Sequence, residues 1–341
     1  MRFGLFGGPS RQTGQTGDGK SFRQFIDYVV EAEQLGFESV FLVEHHFTGA
    51  GQVSASLTLL SYLAGLTSTM RLGTAVTVMP WHQPLLLAEQ AATVDIVSNG
   101  RLDFGVGRGY RANEFHGFMI DPEEAQARFE EAVALVLKSW TTRERFSHDG
   151  RFWKFRDVIV EPRPVQDEPH PPIWVAAGSE GSVRKAAAGG QRVLMDQFGS
   201  TDLCAQRVAW YRDAQAQAGL ASLPNQVALT RGLLLVDHPS KKAAEFERRH
   251  LMGKAIAASA AIPGQAPPEN PTGPFVLDKS DAATEAATIN GTPDECIVQL
   301  MALEAAGVDY VLFNDPWGGI ERLRFFAREV MPAFRKTPVA A

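Results

Sequence analysis

Residues 71–106 read RLGTAVTVMPWHQPLLLAEQAATVDIVSNGRLDFGV. Arg71–Val78 is a short apolar strand, Pro84–Ser98 a helix with proline in its first turn, where the missing N–H costs nothing, and Arg101–Val106 the next strand. The same unit repeats on both sides. Upstream, residues 1–8 read as a strand, 21–36 as a helix stopped by Gly36, Ser39–Val43 as a strand and Ser54–Thr67 as a helix. Downstream, Asp121–Trp140 is a long amphipathic helix that opens on Asp121, Pro122, Glu123 and Glu124, where acids complement the helix dipole. Residues 145–170 break the rhythm and read as an inserted hairpin and loop. Alternation resumes with Ile173–Ala177, Gly181–Ala188, Arg192–Met195, Asp202–Ala218 and Gln226–Val236. Residues 253–290, rich in Ala, Pro, Gly and Thr, read as a mobile loop, and Pro293–Ala306, Tyr310–Phe313 and Ile320–Phe334 complete the last unit.

Eight short apolar strands, each followed by a helix, point to a parallel sheet covered on both faces, and the count fits closure into a single (β/α)8 barrel spanning 1–341. An open doubly wound sheet in two domains shares the same local pattern. The chain has 33 Lys+Arg against 39 Asp+Glu, a net charge of −6, which argues against nucleic acid as a partner. With 45% apolar and 21% charged residues it has the usage of a folded globular chain. Cys204 and Cys296 stand far apart, which suits a reducing cytoplasm better than a disulfide framework. The N-terminus runs straight into a strand with no signal-peptide pattern, and no stretch reaches ~18 apolar residues, so no membrane association is expected.

In a barrel the chemistry gathers where strands end. Strand two ends in Glu44-His45-His46-Phe47, and in extended chain Glu44 and His46 share a face while His45 points the other way. Convergence of these residues with His82 on one metal is therefore poorly supported, and no metal is expected. A histidine in a cleft can move a proton near neutral pH; His46 reads equally well as a satisfied buried polar group. Gly105-Val106-Gly107-Arg108-Gly109 lacks the spacing of a dinucleotide fingerprint, but its glycines admit close backbone approach and Arg108 can grip phosphate. Gly178-Ser179-Glu180-Gly181-Ser182 opens a helix, so free N–H groups and two hydroxyls make either a phosphate cradle or an ordinary N-cap.

These stretches resemble the luciferase-like flavin monooxygenase family, the bacterial luciferase or alkanal monooxygenase type. The likeness rests on Leu42-Val43-Glu44-His45-His46-Phe47-Thr48, Leu72-Gly73-Thr74-Ala75-Val76, the run from Asn99 to Gly109, Pro172-Ile173-Trp174-Val175-Ala176-Ala177, and the Gly291–Glu295 and Ala305–Asp309 segments. It implies a barrel that binds reduced FMN, forms a flavin hydroperoxide with O2 and oxygenates a small, hydrophobic organic substrate. A separate NAD(P)H flavin reductase would supply the reduced FMN. By position the resemblance makes His45 the counterpart of the family's catalytic histidine. Arg108, Gly109, Tyr110, Gly178, Ser179 and Ser182 surround the phosphate, and Ala75-Val76 falls where the family places a cis peptide beside the flavin ring. His46, Trp81, His82 and Trp317 would line the substrate pocket, and residues 253–290 would form a lid. Gly107 replaces the reactive cysteine of the luciferase α chain and Gly178 an acid, so light emission is not expected. A homodimer through the second and third helices is implied, with Leu57, Leu59, Leu60 and Leu63 as a fitting stripe. A deazaflavin-coenzyme oxidoreductase that transfers hydride on the same barrel, and a non-catalytic flavin-binding subunit, are the alternative readings.

Overall fold

The computed structural model describes residues 1–11, 17–262, 264, 285, 288–315 and 319–335. Its strands are β1 (Arg2–Gly7), β2 (Ser39–Leu42), β3 (Arg71–Thr74), β4 (Thr77–Val78), β5 (Leu102–Gly107), β6 (Phe146–Asp149), β7 (Lys154–Val158), β8 (Ile173–Ala176), β9 (Arg192–Met195), β10 (Val227–Leu235), β11 (Thr288–Gly291) and β12 (Tyr310–Asn314). The helices are α1 (Gly19–Leu35), α2 (Ser56–Leu66), α3 (Pro84–Val97), α4 (Ala112–Phe118), α5 (Ala125–Thr141), α6 (Glu180–Ala188), α7 (Thr201–Gln217), α8 (Lys242–Ala258), α9 (Pro293–Ala305) and α10 (Gly319–Glu329).

Parallel pairing runs β1–β2–β3–β5–β8–β9–β10–β12 and returns from β12 to β1, a closed eight-stranded barrel. β4 continues β3 along β5 beyond the cis peptide between Ala75 and Val76. Inside, Phe41, Trp174, Leu194, Ala228, Tyr310 and Leu312 fill the ring, with the Phe41 and Trp174 rings edge-on at 5.5 Å. The larger apolar cluster lies between strands and helices, where α1, α2, α3, α5, α6, α7, α9 and α10 bury their inward residues. Close approach at β3 and β5 depends on glycine: a Cβ on Gly105 would sit 1.7 Å from the Thr74 carbonyl oxygen.

At the barrel floor Arg101 is a clasp. Its guanidinium donates to the carbonyls of Ala64, Thr67 and Met70 at 2.8–3.0 Å and to Ser98 O at 2.7 Å, so it satisfies acceptors that the ends of α2 and α3 leave open. Arg71 pairs bidentately with buried Asp103 on β5 at 2.6 and 3.0 Å.

β6 and β7 form an antiparallel hairpin outside the barrel, pinned by Glu131 of α5, which accepts from Phe152 N and Trp153 N at 3.1 Å. Two sequence expectations are corrected. Residues 253–258 belong to α8 and residues 288–290 to β11, a ninth parallel strand on the C-terminal half of β10; the rest of the expected loop falls largely outside the described residues. β11 escaped notice because Thr288 and Asn290 are polar yet buried, with Asn290 Nδ2 donating to Glu285 O and Thr288 O. Leu57, Leu59, Leu60 and Leu63 are no dimer stripe, since all four are buried in the chain's own core. Among the described residues no helix is long and apolar enough to cross a membrane.

Candidate active site

The C-terminal ends of the strands gather two histidine–carboxylate pairs. Backbone alternation after β2 sends Glu44 and His46 to one side and His45 to the other. Glu44, buried, is the hub of the first group. Its Oε1 lies 3.0 Å from His46 Nε2 and 2.8 Å from His82 Nε2 and accepts from Trp81 Nε1 at 3.2 Å. Burial pushes this carboxyl up, but the hydrogen bonds from His46 and His82 outweigh it and hold the group below the ordinary carboxylate range.

His45 takes its partner from α4. Its Nδ1 lies 3.1 Å from Glu114 Oε1, and the same oxygen accepts from His46 N at 2.9 Å. A carboxylate only accepts, so Nδ1 carries the proton and Nε2 is left as the exchangeable nitrogen. Burial pulls the His45 pKa below its ordinary value; Glu114 opposes the shift and Arg111 adds to it. The Tyr110 ring stands edge-on to His45 at 6.4 Å. Glu114 and Arg111, both buried, were not singled out from sequence, and neither was α4, whose seven residues are too few for a periodic signal.

An aromatic wall borders these pairs: Trp81 stacks on Phe118 at 5.2 Å and meets Phe115 edge-on at 5.1 Å, while Phe118 also meets His46 at 5.0 Å. Gly109, at φ +83°, fits beneath it, since a Cβ there would lie 2.7 Å from Trp81 and Val78. Gly107 packs on Val76 of the cis peptide in the same way.

The phosphate-suited groups sit on the neighbouring strand ends of β5 and β8. Ser179 caps α6, its hydroxyl 2.9 Å from that of Ser182, and both belong to the helix's positive end. Gly178 is backed by Arg207, whose Nε donates to Gly178 O at 2.9 Å and whose Nη1 lies 3.1 Å from Asp196 Oδ2. Arg108 is exposed and makes no ion pair among the described residues. Thus His45, Tyr110, His46, Trp81 and His82 converge on linked groups, Ala75-Val76 and Gly109 join them through backbone packing, and Arg108, Ser179 and Ser182 occupy the adjoining rim. Trp317 lies outside the described residues.

The sequence profile of the luciferase-like monooxygenase family matches residues 1–310. The chain belongs to this family. It is 27% identical to the oxygenase component of flavin-dependent trigonelline monooxygenase of Acinetobacter baylyi, over 99% of this chain and 97% of that one. It is also 27% identical, over 92% of this chain and 94% of the relative, to an F420-dependent glucose-6-phosphate dehydrogenase of Beutenbergia cavernae. A 38% identical match to the uncharacterized protein y4vJ of Sinorhizobium fredii spans about half of each, 51% of this chain and 49% of that protein. Monooxygenase RslO1 from Streptomyces bottropensis superposes with a TM-score of 0.84 at 27% identity, covering 98% of this chain and all of that one. Members of the family thus include both flavin monooxygenases and F420-dependent oxidoreductases.

Proposed function

We propose that the chain is the oxygenating component of a two-component flavin monooxygenase, which takes reduced FMN from a separate NAD(P)H flavin reductase and oxygenates a small organic substrate with O2. The observation that carries this reading is that one barrel mouth joins a proton-handling pair, His45–Glu114, to a rim of groups suited to phosphate. The donor set fits a phosphorylated flavin: two hydroxyls at a helix N-terminus beside an exposed guanidinium. Full-length similarity to the trigonelline enzyme's oxygenase component supports the same reading.

When bound, reduced FMN supplies the electrons with which O2 is divided between substrate and water. The chain's own part is binding and proton control. Arg108, Ser179 and Ser182, with the backbone at Gly109, Tyr110 and Gly178, would hold the phosphate, and Ala75-Val76 would contribute to the flavin site. His45 is neutral at neutral pH because burial depresses its pKa, so Nε2 accepts a proton and the Glu114 carboxylate then stabilises the imidazolium. Trp81, Phe115 and Phe118, with His46 and His82 fixed by Glu44, keep water from the reacting face. The free, buried Cys204 and Cys296 suit a cytoplasmic setting, and exposed Tyr62, Leu66, Leu86, Ile96 and Val97 on α2 and α3 suit a homodimer.

The F420-dependent relative supports a second reading, hydride transfer from a reduced deazaflavin without oxygen. Anaerobic titration with reduced FMN and with reduced deazaflavin, followed by oxygen-uptake assays with a flavin reductase, decides between them. Saturable binding of reduced FMN with substrate-dependent oxygen uptake is the expected result. Tight binding of the deazaflavin alone overturns it.

A further inference from the structure

Three arginines among the described residues are almost fully buried: Arg111, Arg207 and Arg231, at 2, 4 and 1% exposure. Arg207 has Asp196 and Gly178 O. Arg231 donates to Gly199 O at 2.6 Å and Thr230 O at 3.2 Å and reaches Cys204 Sγ at 3.1 Å. Arg111 differs: its Nε and Nη1 are buried without an acceptor, and it makes no ion pair among the described residues. An unpaired buried cation is among the costliest arrangements a fold can hold, and a counter-charge brought by a ligand relieves it.

Its place narrows the ligand. Arg111 precedes the first residue of α4, next to Tyr110 and one turn before Glu114 and Phe115, and its charge reaches His45. The nearby acids are engaged, Glu114 by His45 and His46 N, and Glu44 by His46, His82 and Trp81. Phe115 on the next turn faces Trp81, which gives an apolar flank to whatever meets the guanidinium. A planar fork with parallel donors matches a carboxylate. We propose that Arg111 is the receptor for the carboxylate of a small organic acid substrate, and that it holds this acid beside His45 with its apolar body against Trp81 and Phe115. This rests on reading the His45 mouth as the substrate site of the proposed monooxygenase.

The test uses the full chain and its Arg111→Met and Arg111→Lys variants, titrated calorimetrically with benzoate, phenylacetate and hexanoate and with the primary amide of each. FMN binding and thermal midpoint are followed in parallel. In the wild type the best acid should bind at least ~10-fold more tightly than its amide, R111M should weaken that acid by about 30-fold or more, and R111K should restore part of the preference. FMN affinity should be unchanged, and the R111M midpoint should hold or rise because a buried unpaired charge has gone. The proposal is overturned if no acid outbinds its amide, if R111M keeps the preference, if FMN affinity falls instead of acid affinity, or if inorganic phosphate binds in place of the acids. If the Arg111-dependent acid preference is present while neither FMN binding nor oxygen uptake is found, the acid site stands and the monooxygenase reading falls.

Discussion

Glu114 gives one carboxylate oxygen to two donors, the His45 ring and the His46 amide, and thereby sets both the tautomer and the basicity of the proposed proton carrier. Because Glu114 raises the His45 pKa against burial, Glu114→Gln should lower it further. The limb of the kcat/KM–pH profile that reports protonated His45 then moves to lower pH, and kcat/KM falls by about 10²-fold, the lower end of what positioned acid–base catalysis contributes. A profile that does not move would remove His45 from proton handling. Glu44 makes a stability prediction of known sign. Its folded pKa lies below the ordinary value, so its stabilisation is present at neutral pH and is lost as pH falls through that lowered pKa. Glu44→Gln should therefore cost about 1–3 kcal/mol near neutrality, with wild type and variant converging in acid, as denaturant midpoints measured across pH will show. At this scale the sequence is half legible. Alternation alone separates His45 from Glu44 and His46, but Glu114 lies 69 residues beyond His45 and no local pattern joins them. Arg111 is hidden for the same reason, since burial without a partner is a property of tertiary packing.

The elements that position the site owe their closeness to missing side chains. β3 and β5 approach until a Cβ at Gly105 would strike the Thr74 carbonyl at 1.7 Å, and backbone cannot swing aside as a side-chain tip can. Gly105→Ala should cost about 3 kcal/mol, read as a lowered unfolding midpoint; an unchanged midpoint would mean that the strands separate freely. Elements with strong periodicity and clear end signals were legible, as Pro84 opening α3 and Gly36 closing α1 show. Those that depend on their surroundings were not: α4 is a single short helix among site residues, α8 is rich in alanine and charge with little apolar stripe, and β11 buries polar side chains that donate to Glu285 O while Gln299 bonds the backbone of Asn290.

For the whole molecule, the eight-unit count fits ring closure and the pairing of β12 with β1 completes it, but where a second copy would dock could not be read from apolar residues alone. Leu57, Leu59, Leu60 and Leu63 face inward, whereas Tyr62 and Leu86 remain 57 and 55% exposed. Replacing both with glutamate should shift the protein from dimer to monomer in sedimentation velocity with its circular dichroism intact; a wild type that already sediments as a monomer defeats the homodimer proposal. The two extremities of the barrel answer to different demands, and β5 crosses between them. At one end Arg101 ties down the carbonyls of two helices, and seven residues later the chain emerges at Arg108. Damage near the first of these arginines should surface as misfolded, degraded protein, and damage near the second as well-made protein that has lost its chemistry, so a substitution series along this single strand would chart where scaffold ends and enzyme begins.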